Sequence, residues 1–222
     1  MFIGHYGVAL ALKRAEPKVS LGTLFFVTQF VDVLWGVFLL LGWERARIEP
    51  GITAASPLQF LSYPLSHSLV AAFVWAAVAA SIYYSWPTRD TSRHLRATLI
   101  VFIAGVSHWF LDVIVHRPDL PLAGNTSPKV GLGLWDHLAA SVAVELLIFA
   151  VGLALYLTIS VKRHRPRRGR TAVLAVVILA LAAASLFGPV PPNMTVVAVG
   201  ALVLFLGLTA LAAWADRRRE VH

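Results

Sequence analysis

Residues 95–116 read LRATLIVFIAGVSHWFLDVIVH, an apolar run of 22 residues. A helix of this length covers about 33 Å at 1.5 Å per residue, enough to cross a hydrocarbon core of roughly 30 Å. Its ionisable side chains are Arg96 near the start and three residues in the second half, His108, Asp112 and His116. The stretch therefore predicts a transmembrane helix with polar groups concentrated in one half.

The composition of the whole chain agrees with a membrane protein. The 222 residues are 58% hydrophobic and 14% charged, and the mean hydropathy is +0.74. Soluble proteins carry about 25% charged residues, so a water-soluble globule of this size is excluded. Cysteine is absent, which excludes disulfides, thiolate metal sites and cysteine nucleophiles.

Six apolar segments, separated by breaks rich in Pro and Gly, follow a short N-terminal helix over residues 2–14. They lie at about 20–42, 66–86, 95–116, 134–161, 171–188 and 194–215. We predict an all-α, polytopic transmembrane helix bundle with about six spanning helices plus the short N-terminal helix. We divide it into a metal-site membrane domain (1–161), a basic cytoplasmic loop (162–170), and a C-terminal helical hairpin with a basic tail (171–222).

The basic residues predict an orientation. If the six segments alternate, 15 of the 19 Lys and Arg residues fall on one side and four on the other, namely Arg45, Arg47, Arg117 and Lys129. The positive-inside rule then predicts a multi-pass protein of the cytoplasmic (inner) membrane, with residues 161–170 and the C-terminus inside. This topology accounts for the net charge of +8, so nucleic acid is not expected as a partner.

His108, Asp112 and His116 follow one another at intervals of four residues. Each such step rotates only about 40° around a helix, so the three side chains share one stripe. Imidazole and carboxylate groups on neighbouring turns can converge on one or two cations. The alternative is a buried polar ladder that only ties helices together.

Other ionisable groups in the apolar segments extend this set. In the predicted orientation they fall in the same outer half of the bilayer, where buried charges are costly and usually functional. His67 begins a helix after Pro64, and the alternative there is a simple cap region with Ser66 as the capping residue. The predicted metal ligands are His5, Asp32, His67, His108, Asp112, His116 and His137. These nitrogen and oxygen ligands suit Zn²⁺ first, with Mn²⁺ or Fe as alternatives, in a site of one to three ions.

The chain resembles the bacterial membrane-bound metal-dependent hydrolases, a family distantly similar to zinc-dependent phospholipase C and the P1-type nucleases. The resemblance rests on FIGHYGVAL, FVDVLW, PLSHSL and HWFLDVIVH, within residues 1–150. In the soluble phospholipases an HxxxD helix supplies ligands to a trinuclear zinc centre, and His108 and Asp112 match that motif. The last histidine and glutamate of that centre have three residues between them, whereas seven separate His137 from Glu145.

The first functional hypothesis is a membrane hydrolase that cleaves a phosphoester in a lipid or lipid-linked substrate through metal-activated water. Glu145 or Asp136 would act as ligand or general base, and Arg117 and Lys129 could hold a phosphate. The second hypothesis is a transporter or channel for a divalent cation or protons, because intramembrane His and Asp also mark ion pathways. The third is a non-catalytic partner subunit. Helices within 171–215 contain no ionisable group and are candidates for scaffold or homo-oligomer contacts.

Overall fold

The computed structural model of the chain describes residues 1–86, 91–160 and 165–217, with only the backbone given for 91–93. Parts of the predicted basic loop and basic tail therefore lie outside the described residues. The described chain is predominantly helical. Its helices are α1 (Ile3–Ala15), α2 (Leu21–Thr28), α3 (Phe30–Leu40), α4 (Pro64–His67), α5 (Leu69–Ser85), α6 (Thr91–Val115), α7 (Leu138–Leu157), α8 (Arg168–Phe187) and α9 (Met194–Ala215).

Two small antiparallel sheets complete the described part of the fold. Strand β1 (Arg45–Ile48) pairs with β2 (Leu58–Ser62), and β3 (Leu120–Pro121) pairs with β4 (Lys129–Val130). A short 3₁₀ turn, Leu134–Asp136, precedes α7. The all-α prediction is confirmed, because these strands occur only in the connections between helices.

The predicted six segments are all helical, but fewer than six qualify as spans. Four helices of the described chain are long and apolar enough, namely His94–Val115 within α6, and α7, α8 and α9. The pair α2 and α3 adds a fifth if it is one span bent by 50°. Helix α5 has 17 residues because Ser68 caps its start by accepting the Ala71 N–H at 3.0 Å, two residues later than the cap considered at Ser66.

Helix α1 packs tightly on α7. A Cβ on Gly152 would collide with the backbone of Gly7, and a Cβ on Gly7 would collide with the backbone at Ile148 and Phe149. Glycine at both positions therefore lets the two backbones approach closely. This contact places the first turn of α1 beside the first half of α7.

The C-terminal hairpin of α8 and α9 packs on a different part of the bundle. Helix α9 lies against α2 and α3, with Gly22 close to Ala213 and Gly36 close to Leu202. The hairpin shares one apolar core with α1, α2 and α6. The fully buried residues of this core include Tyr6, Leu24, Ala104, Leu174, Ile178 and Ala212.

Several basic residues of the described chain meet at one end of the bundle. Lys13 is buried and pairs with Asp216 at 2.7 Å, and Arg170 donates to the Trp214 carbonyl at 3.0 Å. Arg96 donates to the carbonyl of Ala15 at 2.8 Å. The two sheets and the starts of α1, α4 and α7 lie around the C-terminal end of α6, which is the opposite end.

Candidate metal centre

The stripe predicted on α6 forms and is buried. His108, Asp112 and His116, the last lying one residue after α6 ends, are each at most 2% exposed. Asp112 Oδ2 lies 3.0 Å from His108 Nε2 and 4.0 Å from His116 Nε2. Asp112 is therefore the carboxylate at the centre of the stripe, as helical periodicity requires.

Three other helices add side chains to the same point. His5 from α1 is fully buried, and its Nε2 lies 3.5 Å from Asp112 Oδ1. His67 from α4 places its Nε2 3.8 Å from Asp112 Oδ2 and 3.1 Å from Asp32 Oδ1. Asp32, from α3, also lies 3.8 Å from His108 Nε2. Six of the seven predicted ligands thus lie in one cluster, which we call the His/Asp cluster: His5, Asp32, His67, His108, Asp112 and His116.

The bend between α2 and α3 helps to orient His108. Its Nδ1 lies 2.6 Å from the carbonyl oxygen of Thr28, the last residue of α2. A carbonyl can only accept, so Nδ1 carries the proton and donates. In the neutral imidazole the lone pair of His108 is therefore on Nε2, which faces the two carboxylates Asp32 and Asp112.

A buried chain of hydrogen bonds orients His67 in the same way. The Ser66 hydroxyl donates to Glu44 Oε2 at 2.6 Å, and the Ser66 N–H donates to Glu44 Oε1 at 2.9 Å. The hydroxyl proton is thus committed to Glu44, so Ser66 Oγ accepts from His67 Nδ1 at 2.7 Å. His67 Nε2 is left to face the cluster.

His116 is held from the loop that follows α6. Its Nδ1 donates to Asp119 Oδ1 at 3.0 Å, and the same carboxylate oxygen accepts the Tyr63 hydroxyl at 2.9 Å. Burial, and then the charge of Asp119, raises the pKa of Tyr63 well above its usual value, so this hydroxyl stays protonated. All three imidazoles are therefore anchored through Nδ1, which is how metal-binding histidines are commonly held.

The spacing of the cluster atoms fits metal coordination. Ligands about 2.0–2.1 Å from a tetrahedral zinc ion are about 3.3 Å from one another. The distances from each imidazole nitrogen to each carboxylate oxygen are 3.0–3.8 Å, the nitrogens being His67 Nε2 and His108 Nε2 and the oxygens Asp32 Oδ1 and Asp112 Oδ2. Both ring nitrogens of His5 and Nε2 of His108 are buried without a hydrogen-bond partner in the described chain. Nε2 of His108 is thus close to Asp112 without hydrogen-bond geometry, as two atoms facing a shared cation would be.

Two groups of side chains in the described part of the chain could hold a metal ion. One consists of His5, His108 and Asp112, and the other of Asp32, His67 and His108. His108 has only one free nitrogen and can serve one ion, whereas Asp112 has two oxygens that point toward the two groups. Asp112 is therefore the residue that can connect two ions, if two are bound.

Glu145 lies beside the cluster and holds the start of α1. Its Oε2 accepts the backbone N–H groups of Phe2, Ile3 and Gly4 at 2.8, 2.7 and 3.3 Å. These are N–H groups at a helix start, which have no partner within their own helix. The Met1 amino group donates to Asp112 Oδ1 at 2.6 Å, so the segment before α1 also contacts the cluster.

Four predicted site residues lie elsewhere. Asp136 ends the 3₁₀ turn and His137 follows it; both are exposed, and the structure does not bring them to the cluster. Helix α7 begins only at Leu138, so His137 precedes its first turn instead of sharing a stripe with Glu145. Arg117 is half-buried and Lys129 is exposed, and neither lines the cavity described next.

A cavity of about 810 Å³ opens onto the cluster. Asp32, His67, Asp112 and His116 lie on its polar wall, together with Glu145. The segment 50–58, between β1 and β2, covers one side, where the Ala55 N–H donates to the Trp135 carbonyl at 3.0 Å. The buried cluster is therefore open to a molecule larger than water.

Sequence reasoning missed the residues that orient the histidines. Glu44 and Asp119 lie in connections, and Ser66 was considered only as a helix cap. The one available signal was Glu44 itself, a carboxylate at the end of an apolar segment, which is 1% exposed in the fold.

Comparisons with known protein families, with curated proteins and with solved structures give no match for this chain. The residues and geometry of the His/Asp cluster are therefore what points to a function.

Proposed function

We propose that this protein is a metal-dependent hydrolase of the membrane that cleaves a phosphoester in a lipid or lipid-linked substrate. The observation that carries the proposal is the arrangement of three buried imidazoles. His67, His108 and His116 are each anchored through Nδ1 and direct Nε2 toward Asp112. Nε2 of His108 is buried without a hydrogen-bond partner in the described chain, whereas a polar ladder that only joins helices would give it one.

Zn²⁺ is the ion that the donor set favours. Imidazole nitrogen and carboxylate oxygen suit Zn²⁺, with Mn²⁺ and Fe as alternatives, and the chain has no thiolate to offer. Such an ion lowers the pKa of water toward 7 and polarises phosphoryl oxygens. Asp32, His67, His108 and Asp112 would hold it, with His5 and His116 as further ligands of the cluster.

The chain itself supplies position and access. Glu145 fixes the first turn of α1 and thereby His5, while the Ser66 and Glu44 pair fixes His67. Glu145 also lies on the cavity wall and is the predicted general base that a bound substrate could reach. Asp136, the other predicted base, and the predicted phosphate-holding residues Arg117 and Lys129 have no such position.

Metal-dependent hydrolysis is the test of this proposal. We expect detergent-purified protein with Zn²⁺ or Mn²⁺ to release a phosphorylated head group or a diacylglycerol from a panel of bacterial phospholipids and lipid-linked phosphates. EDTA should stop the reaction, since the ion supplies the activated water. His94→Ala should keep full activity, because His94 contacts Tyr84 near the other end of α6.

The opposite result would favour transport. If metal-loaded protein hydrolyses no lipid in the panel and instead carries Zn²⁺ or Mn²⁺ across sealed vesicles, the hydrolase proposal is wrong. An Asp32→Asn variant that abolishes this flux would assign it to the same cluster.

We further propose that the cluster faces the outer side of the cytoplasmic membrane. The support is the 15-to-4 distribution of basic residues and the meeting of Lys13, Arg96 and Arg170 with their partners at the end away from the cluster. Single cysteines at the exposed positions Thr126 and Arg165 test this orientation in the cysteine-free chain. An impermeant thiol reagent should label position 126 and not position 165 in intact cells, and the reverse pattern would invert the topology.

A further inference from the structure

The cavity beside the cluster has a large apolar wall that the proposed chemistry does not need. Its volume of about 810 Å³ is shared between the polar end and a cleft formed by α7, α8 and α9. The apolar residues of the cleft are mostly small or aliphatic, and include Leu146, Leu179, Ala183, Gly200, Ala201 and Leu204. Helices α8 and α9, which appeared to be scaffold from the sequence, thus contribute to the candidate site.

The cleft exists because the helices around it pack on different partners. Helix α7 packs on α1 through Gly152 and Gly7, whereas α9 packs on α2 and α3. Helix α8 packs mainly on α9, so the hairpin and α7 diverge near the cluster. The space between them runs along α8 from Leu179 to Phe187, about 12 Å at 1.5 Å per residue.

We propose that this cleft binds the hydrocarbon chain of a lipid whose polar head lies at the His/Asp cluster. This inference rests on the proposed function and specifies the substrate as an amphiphile held by its chain. One molecule must present a polar group to Asp112 and His67 and an apolar length to α8 and α9, and a lipid does both. Helices α7, α8 and α9 are all long and apolar enough to span a bilayer, so a chain can enter the cleft directly from the hydrocarbon.

Two glycines of α9 offer a matched test. An added Cβ meets nothing within 4 Å at either Gly200 or Gly207, so leucine at either position avoids an initial clash. Gly200 lines the cleft and Gly207, two turns later, does not. Leucine also favours helix over glycine at both positions, which keeps the two variants comparable in folding.

Lipid binding can be measured for these variants without any hydrolysis of the lipid. Native mass spectrometry in EDTA would titrate dioleoylphosphatidylglycerol onto delipidated protein. We expect wild type and Gly207→Leu to bind one tight lipid equally, and Gly200→Leu to bind it at least about tenfold more weakly, the factor expected for about two lost buried methylenes. Metal content should be the same in all three proteins, because neither glycine belongs to the cluster.

The outcomes separate this inference from the proposed function. Equal lipid affinity of Gly200→Leu and Gly207→Leu would overturn the proposal that the cleft binds a lipid chain, even if hydrolysis is observed. A stable dimer that Gly200→Leu alone disrupts, with no tight lipid, would assign the cleft to a second copy of the chain and also overturn it. Lipid binding that depends on Gly200 without hydrolysis of any lipid would support the cleft and contradict the hydrolase.

A second pair of variants covers the case in which Gly200→Leu does not fold. Ala183 lines the cleft from α8, and Ala180, also exposed, lies one turn earlier outside it. Ala183→Leu should weaken lipid binding as Gly200→Leu does, and Ala180→Leu should not.

Discussion

Replacing Asp112 with asparagine should lower the affinity of the purified protein for Zn²⁺ by about 100-fold or more. Asp112 belongs to one candidate metal group and lies within 4.0 Å of His5, His67, His108 and His116, so its two oxygens face histidines of both groups. The amide keeps the shape of the side chain and loses the charge that attracts the cation. Substituting a residue that only hydrogen-bonds to a ligand lowers metal affinity by about 10–100-fold, so loss of a central ligand should lower it at least as much.

Competition with a chromophoric chelator, followed by elemental analysis, measures this effect. His94→Ala is the control. His94 lies on the same helix as His108 and Asp112, but it contacts Tyr84 and not the cluster. Unchanged zinc affinity in Asp112→Asn and in His108→Ala would show that the cluster is a polar ladder and not a metal centre.

Replacing Ser66 with alanine should lower zinc affinity by about 10–100-fold although Ser66 is not a proposed ligand. The serine hydroxyl accepts from His67 Nδ1 and donates to the buried carboxylate of Glu44. Alanine removes both contacts, so His67 loses its anchor and Glu44 loses a donor. Ser66→Thr, which keeps a hydroxyl, should retain most of the affinity.

Ser68→Ala is the matched control for Ser66→Ala. Ser68 is buried two residues away, but its hydroxyl caps α5 by accepting the Ala71 N–H. Its loss should cost about 1 kcal/mol of stability and leave zinc affinity unchanged. Equal losses of zinc in the two alanine variants would mean that Ser66 acts only through folding, and would refute its positioning role.

Asp112→Asn and Ser66→Ala probe different features of the His/Asp cluster. Asp112→Asn tests whether the atoms of the His/Asp cluster bind a metal ion. Ser66→Ala tests whether the hydrogen bonds that orient His67 contribute to that binding. A metal centre predicts large effects from both. A cluster that only joins helices predicts loss of stability in Asp112→Asn, because it leaves the buried groups around Asp112 less well paired, and no metal effect in either variant.

Local helical periodicity made part of the site predictable. His108, Asp112 and His116 share one stripe because each step of four residues returns to nearly the same helix face, which requires no tertiary information. The prediction for His137 and Glu145 used the same rule, but the backbone of His137 is not helical (φ −122°, ψ 84°), so the two residues do not share a stripe. Periodicity holds only inside a helix, and the sequence does not mark that boundary sharply.

The apolar segments were predictable for a related reason. Their length and hydropathy identified all six helical regions, whereas the alternation inferred from the charge asymmetry stays a prediction. The length and hydropathy of the segments did not predict the bend at Gln29 between α2 and α3 or the short α4, because both depend on how the helices pack.

Sequence alone predicts the all-helical class of this protein, the polar stripe of α6 and the concentration of His and Asp in the first 150 residues. These follow from properties of single segments: hydropathy, length and the 3.6-residue period. The packing of the helices reveals three further features: His67, His108 and His116 are oriented by Glu44, Ser66, Thr28 and Asp119, Glu145 holds the start of α1, and α8 and α9 line the cavity. Each of these depends on contacts between residues distant in sequence, and such contacts are set by how whole helices pack.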